Sequence, residues 1–148
     1  MKHETLRITF YEPDYRPDSP VIYSVIAARY RGDWIFVRHC GNKTWEMPAG
    51  HVEDFETPEE AAGRELAEET GAEEFELQCV ATYSVEKDGT GGYGRLYYAE
   101  ITSMGPVQDK EEVDELLFSR NMPAALTYPD IQSALFSRVF RYIQKLSS

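Results

Sequence analysis

No stretch of this chain comes near the ~20 consecutive apolar residues that cross a bilayer as a helix. Cysteine is scarce, with only Cys40 and Cys79 in 148 residues. Their spacing matches no zinc motif and builds no disulfide framework, so reduced thiols are expected. Basic residues are few, 15 Lys and Arg against 26 Asp and Glu, for a formal net charge of −11. That balance argues against a protein that grips a nucleic-acid polymer with a broad basic surface. It leaves room for a small anionic substrate, because a bound metal reverses the local field. The start, Met1-Lys2-His3-Glu4-Thr5, is not followed by the apolar core of an export signal. The expectation is a cytoplasmic protein of one domain over residues 1–148. With 42% apolar and 13% aromatic residues, the chain has the material for a core.

Glu12 to Pro20 carries three prolines and reads as an irregular lead-in. Val21–Ala28 and Trp34–Val37 are apolar runs separated by Arg31-Gly32-Asp33, the pattern of a β-hairpin. Gly41–Thr44 and Pro48-Ala49-Gly50 read as breaks. Thr57-Pro58-Glu59-Glu60 is a helix start: Thr57 caps, Pro58 fits the first helical position, and Glu60 completes a capping box. Gly71 is a natural stop. Phe75–Val85 and Arg95–Ile101 alternate as strands around a glycine-rich connection, Asp88–Gly94, and Val113–Phe118 is a further short strand. Ile131, Leu135, Val139, Ile143 and Leu146 mark a last helix capped by Thr127 or Asp130. Strands interrupted by one helix and closed by another predict a mixed α/β sandwich.

The predicted first helix keeps Glu65, Glu68 and Glu69 in its final turns. Steps of three and four place these acids on one side, at the negative end of the helix dipole. Two readings fit: a solvated acidic face, or hard oxygen ligands for a divalent cation such as Mg²⁺ or Mn²⁺. Arg64 likewise reads as an ordinary pair with Glu68 or as an organiser of these acids paired with Glu56. His39 and His51 have no spacing that suggests zinc. Trp34, Trp45, Tyr83 and Tyr97 read as base-stacking rings or as core.

The wider spacing weighs on the first pair of readings. From Gly50 the chain reads GHVEDFETPEEAAGRELAEETGA, which fills the fixed positions of G-x5-E-x7-R-E-U-x-E-E-x-G-U with Gly50, Glu56, Arg64, Glu65, Glu68, Glu69 and Gly71. The chain thus resembles the Nudix hydrolases, with the box at residues 50–72. Ala72 departs from the larger aliphatic residue the family prefers at the end of the box. Trp45–Gly50 looks like the family's approach to it, with Ala49 where a second glycine is commoner. Glu112–Phe118 resembles the segment that follows the last strands.

The resemblance implies an α/β/α sandwich with a mixed sheet, and metal-dependent hydrolysis of a nucleoside diphosphate linked to another group. It implies Glu68 and Glu69 as leading metal ligands, with Glu65 as a third ligand or as the base that positions water. Gly50 would supply a backbone carbonyl near the metal, and Arg64 would orient the box carboxylates. Glu112 is the candidate for an additional acid from a loop, with Glu115 second and a solvated acidic loop as the other reading. Glu46 is a candidate member of the same cluster and, with Arg38, of the substrate site; Arg38 reads equally as a surface strand arginine. The substrate expected is a small nucleotide, foremost a nucleoside triphosphate or an oxidised one such as 8-oxo-dGTP. ADP-ribose, a dinucleoside polyphosphate, a nucleotide sugar, an RNA 5′ end, or binding without cleavage are the alternatives. No membrane partner is expected, and the chain is read as a monomer or homodimer.

Overall fold

The computed structural model describes residues 5–147; the Met1–Glu4 start weighed above lies outside them. Strand β1 spans Leu6–Tyr11, β2 Val21–Tyr30, β3 Asp33–His39 and β4 Ala49–His51. After helix α1, Pro58–Thr70, come β5 (Ala72–Lys87), β6 (Thr90–Met104), β7 (Val113–Ser119) and helix α2 (Pro129–Leu146).

Neighbouring side chains on a strand point to opposite faces, and that alternation builds the layers. Val25 and Ala27 of β2, Trp34 and Phe36 of β3, and Leu96 and Tyr98 of β6 bury into one cluster. Ile26, Ala28, Ile35, Tyr97, Ala99 and Ile101 bury into another. A sheet apolar on both faces needs a cover on each. Helix α1 lays Ala62 and Leu66 on the second cluster, and α2 lays Leu135, Phe136 and Val139 on the first. The result is the expected α/β/α sandwich.

The sheet runs β1-β5-β6-β2-β3-β7. Among the named strands, β2 and β6 pair in parallel and the other pairs are antiparallel. The outer edge of β2 is shared: β4 takes Tyr23–Val25 and β3 takes Ala28–Tyr30. That division carries the segment before α1 into the sheet, and Pro48-Ala49-Gly50, expected as a break, runs into the short strand β4 instead.

Two further expectations change, and one strand is new. The glycine-rich connection shrinks to a two-residue turn, Asp88-Gly89, with φ of 54° and 83°, the twist that a tight hairpin wants. Gly91, Gly92 and Gly94 belong to β6. A Cβ at Gly91 would strike the Val85 carbonyl, and one at Gly94 the Tyr83 ring, so these glycines serve close packing rather than mobility. Helix α2 is capped by neither Thr127 nor Asp130 but by Tyr128, at φ 47° and without a side-chain bond. The Thr127 hydroxyl is committed to Thr44 Oγ1 at 2.5 Å. Finally, Leu6–Tyr11, which carried no expectation, forms β1 against β5.

Candidate active site

Helix α1 is fixed at both ends before its acids do anything. Thr57 Oγ1 accepts from the Glu60 N–H at 3.1 Å, and Glu60 Oε1 accepts from the Thr57 N–H at 2.9 Å. Gly71, at φ 83°, ends the helix by donating its N–H to Ala67 O. The Ser24 hydroxyl donates to Pro58 O at 2.7 Å and ties the helix start to β2. This register presents Arg64, Glu65, Glu68 and Glu69 toward β4 and the end of β3.

Glu69 is 2% exposed. Its Oε1 accepts from the Ala49 N–H at 2.9 Å, and its Oε2 lies 2.8 Å from His39 Nε2. The other ring nitrogen, Nδ1, lies 3.0 Å from Glu46 Oε1. Glu46 is delivered there by backbone: it exchanges both main-chain hydrogen bonds with Val37, two residues before His39. The carboxylates of Glu46 and then Glu69 push the His39 pKa up to about 10 against the effect of burial, so at neutral pH an imidazolium donates to both. Burial pushes the Glu69 carboxyl up, and the His39 and Ala49 bonds oppose that shift.

Arg64 organises the exposed half of the cluster. Its Nε and Nη2 reach the two oxygens of Glu56 at 2.7 and 3.0 Å. Nη1 donates to Glu65 Oε1 at 2.7 Å and to Glu68 Oε2 at 3.4 Å. The fork holds the Glu56 carboxyl down at about 2, and Glu56 in turn raises the Arg64 pKa. Glu65 is pushed up by burial and down by Arg64, with burial prevailing. Its carboxylate packs so closely on the main chain of Gly50 that a Cβ there would collide with it.

The fold therefore brings Glu46, Gly50, Arg64, Glu65, Glu68 and Glu69 together. Arg38 is held elsewhere: it pairs with Asp114 at 2.8 Å and Glu115 at 3.0 Å, with its guanidinium over Trp45. Glu112 sits on a loop pinned at the site's edge, where Asp109 N–H bonds Glu68 O and Cys40 N–H bonds Glu112 O. Its side chain is exposed. Among the described residues, no hydrogen bond or ion pair links its carboxylate to the cluster. Trp34 and Tyr97 are core, whereas Tyr83 is buried but reaches the cleft described below. His39 is the residue that sequence reasoning passed over. Its partners lie far away in the chain, so spacing gave no signal; only its place at the end of an apolar strand did.

Among the described residues, no three acids, histidines or cysteines converge into a ready metal cluster. The pairing explains this, since Arg64 occupies Glu65 and Glu68 while His39 occupies Glu69. The donor set itself, a group of carboxylates packed against the main chain at Gly50, is the oxygen-rich chemistry that hard divalent cations take.

A cleft of about 290 Å³ opens on the α2 side of the sheet. Ile22, Tyr23, Val25, Tyr83, Tyr128 and Gln132 line much of it, and it reaches the acid cluster at Glu46 and Ala49. Burial and then the nearby acids raise the Tyr23 phenol to about 12, and burial also raises Tyr83, so both hydroxyls stay protonated.

A family model described as the NUDIX domain matches residues 20–136. The chain belongs to the NUDIX family. It is a Nudix hydrolase, an enzyme acting on phosphorus anhydrides, in a family that generally uses divalent metal ions and small nucleotide substrates. The Bacillus subtilis protein named putative 8-oxo-dGTP diphosphatase YtkD is 31% identical over 123 residues, 83% of this chain and 76% of its own length. An RNA pyrophosphohydrolase of a Marinomonas species is 35% identical over 66 residues; that match spans 45% of this chain and 38% of the relative. In fold, this Nudix chain is similar to the crystal structure of a mutant of the Bacillus subtilis pyrophosphohydrolase BsRppH. The TM-score is 0.78 at 24% identity, covering 96% of this chain and 92% of that one. Among the described residues, no helix is long and apolar enough to cross a membrane.

Proposed function

We propose that this chain hydrolyses the phosphoanhydride of a nucleoside 5′-triphosphate, foremost an oxidised purine nucleotide such as 8-oxo-dGTP, with Mg²⁺ or Mn²⁺. The observation that carries this reading is the junction at Glu46–Ala49, where the acid cluster meets the mostly apolar cleft. A cleft of about 290 Å³ lies at the small end of ligand pockets and suits one nucleoside rather than two. The match to a protein named putative 8-oxo-dGTP diphosphatase supports the same substrate.

In this reading Glu65, Glu68, Glu69 and the Gly50 carbonyl hold the divalent cation. When bound, the cation supplies neutralisation of phosphate oxygens and a water of lowered pKa. The protein's own groups do the rest. Arg64, locked in a fork by Glu56, keeps Glu65 and Glu68 at one edge of the site. His39 holds the Glu69 and Glu46 carboxylates apart and oriented. Burial raises the proton affinity of Glu65, which suits the oxygen that Arg64 leaves free to take the proton of the attacking water. The apolar walls of the cleft hold the base and exclude bulk water. Glu112 is the additional acid on the adjoining loop. Arg38 reaches substrate phosphate only by exchanging Asp114 and Glu115 for it.

The test is a turnover and product screen with Mg²⁺ and then Mn²⁺. The panel holds nucleoside triphosphates including 8-oxo-dGTP, 5′-triphosphorylated RNA, ADP-ribose, dinucleoside polyphosphates and nucleotide sugars. The expected outcome is the highest kcat/KM on a free triphosphate, loss of activity in chelator, and its return with either metal. A preference for another class, or activity that survives chelation, overturns the reading.

A further inference from the structure

Gln132 lies on the first turn of α2 and is only 8% exposed. The Met47 backbone N–H donates to its Oε1 at 2.9 Å. A backbone N–H cannot accept, so that bond fixes which end of the carboxamide is oxygen. The amino end, Nε2, has no hydrogen-bond partner among the described residues, and no described side-chain nitrogen or oxygen is buried without one. Gln132 lines the cleft, so its spare N–H groups open there. A nearly buried amide with one end latched and the other facing an apolar cavity is a donor of fixed position.

Polar neighbours in the cleft do not share this property. The hydroxyls of Tyr23, Tyr83 and Tyr128 can donate or accept, so by themselves they select nothing. Glu46 is turned to His39. Tyr128 sits one helical turn before Gln132, whose N–H bonds its carbonyl at 3.0 Å. Its φ of 47° is uncommon for a residue with a side chain, and the residue is 71% exposed at the cleft rim. It offers a ring face to any base.

We infer that Gln132 is the specificity-determining residue of this site: its Nε2 donates to the exocyclic oxygen of a 6-oxo purine nucleotide and rejects a 6-amino purine. Against adenine, two N–H donors would face each other and both would lose their water. Sites built on such buried donors discriminate far more strongly than sites built on apolar contact. The inference rests on the proposed triphosphate reading, and it names the base within that substrate class.

The test compares kcat/KM for GTP and ITP against ATP in the wild type, in Gln132→Glu and in Gln132→Met. Glutamate keeps an oxygen for the Met47 N–H but turns the cleft-facing group into an acceptor; methionine keeps the volume and removes both. The wild type should favour the 6-oxo substrates by about tenfold or more. Gln132→Met should bring the ratio close to one, and Gln132→Glu should move it past one toward ATP. Tyr128→Ala should raise KM for both bases alike and leave the ratio unchanged. Calorimetry with non-hydrolysable GTP and ATP analogues supplies the same ratio without turnover. If no triphosphate is cleaved, the proposed function fails, and the analogue ratio still decides this inference. A wild type with no 6-oxo preference in binding, or a preference that Gln132→Glu leaves intact, overturns it. Should Gln132→Met melt early, the glutamate variant alone decides.

Discussion

A carboxylate with 2% exposure must shed its charge or find donors, and Glu69 finds two, the Ala49 N–H and His39. The geometry makes Glu69→Gln a clean probe: the amide oxygen can still accept from Ala49, and the amino end can face a neutral His39. We expect a thermal midpoint close to wild type and a kcat lower by about a thousandfold or more, because a ligand charge is lost while the shape is kept. Steady-state kinetics within tenfold of wild type would remove Glu69 from the ligand set. Gly50 gives a second probe of different kind. Its backbone is not in the left-handed region, so alanine brings no strain there, but the new Cβ collides with the Glu65 carboxylate. That carboxylate ends a flexible side chain and can swing away. Gly50→Ala should therefore cost under about 1 kcal/mol in urea unfolding, yet lower kcat by about 10–100-fold, since misplacing a group by an ångström is that damaging to catalysis. An unchanged kcat would show that Glu65 does not work from its place beside Gly50.

At the scale of elements, α1 is the piece whose design is local. Its capping box, its proline at the first position and its glycine stop all lie within the helix and its flanks, and each follows a rule that needs no distant partner. Thr57→Ala removes one cap bond and leaves the Glu60 N–H without its acceptor, so unfolding free energy should fall by about 1 kcal/mol. A urea midpoint unmoved by that change would mean that tertiary contacts alone hold the helix. The same locality made α1 and its acids legible from sequence, whereas α2 was legible only in its apolar spacing. Its cap depends on a left-handed Tyr128 and on Thr127 being claimed by Thr44, and neither follows from neighbours in the chain. The glycines of β6 were misread for a related reason. Gly91 and Gly94 answer to Val85 and Tyr83 across the β5–β6 pair, while composition alone suggests a loose connection. His39 escaped for the same cause, since its two carboxylate partners arrive from the segment before β4 and from α1.

Across the whole molecule the charge is lopsided, 26 acids against 15 Lys and Arg for a net −11, and this sets how stability responds to acid. Three effects compete as pH falls. Protonating the excess acids relieves general repulsion, which favours the folded state. Glu65 and Glu69, raised by burial, carry a folded-state cost at neutral pH that fades as they take up protons. Glu56 runs the other way. Arg64 holds its pKa at about 2 against an ordinary 4.5, so its stabilising contribution is complete above pH 4.5 and is lost as pH falls through about 2. The first two effects mask the third in any single acid titration, so the comparison must be differential. Thermal midpoints of the wild type and Glu56→Gln, measured in chelator from pH 7 to 2.5, isolate it. Near neutrality the wild type should melt higher, because glutamine cannot return the charge of the Arg64 fork. Below pH 4.5 the gap should narrow steadily, since acid then begins to do to the wild type what the substitution has already done to the variant. A gap that stays constant down to pH 2.5 would show that the Glu56 charge on Arg64 is not what separates the two proteins, leaving Arg64 to hold Glu65 and Glu68 without an ionic anchor of its own.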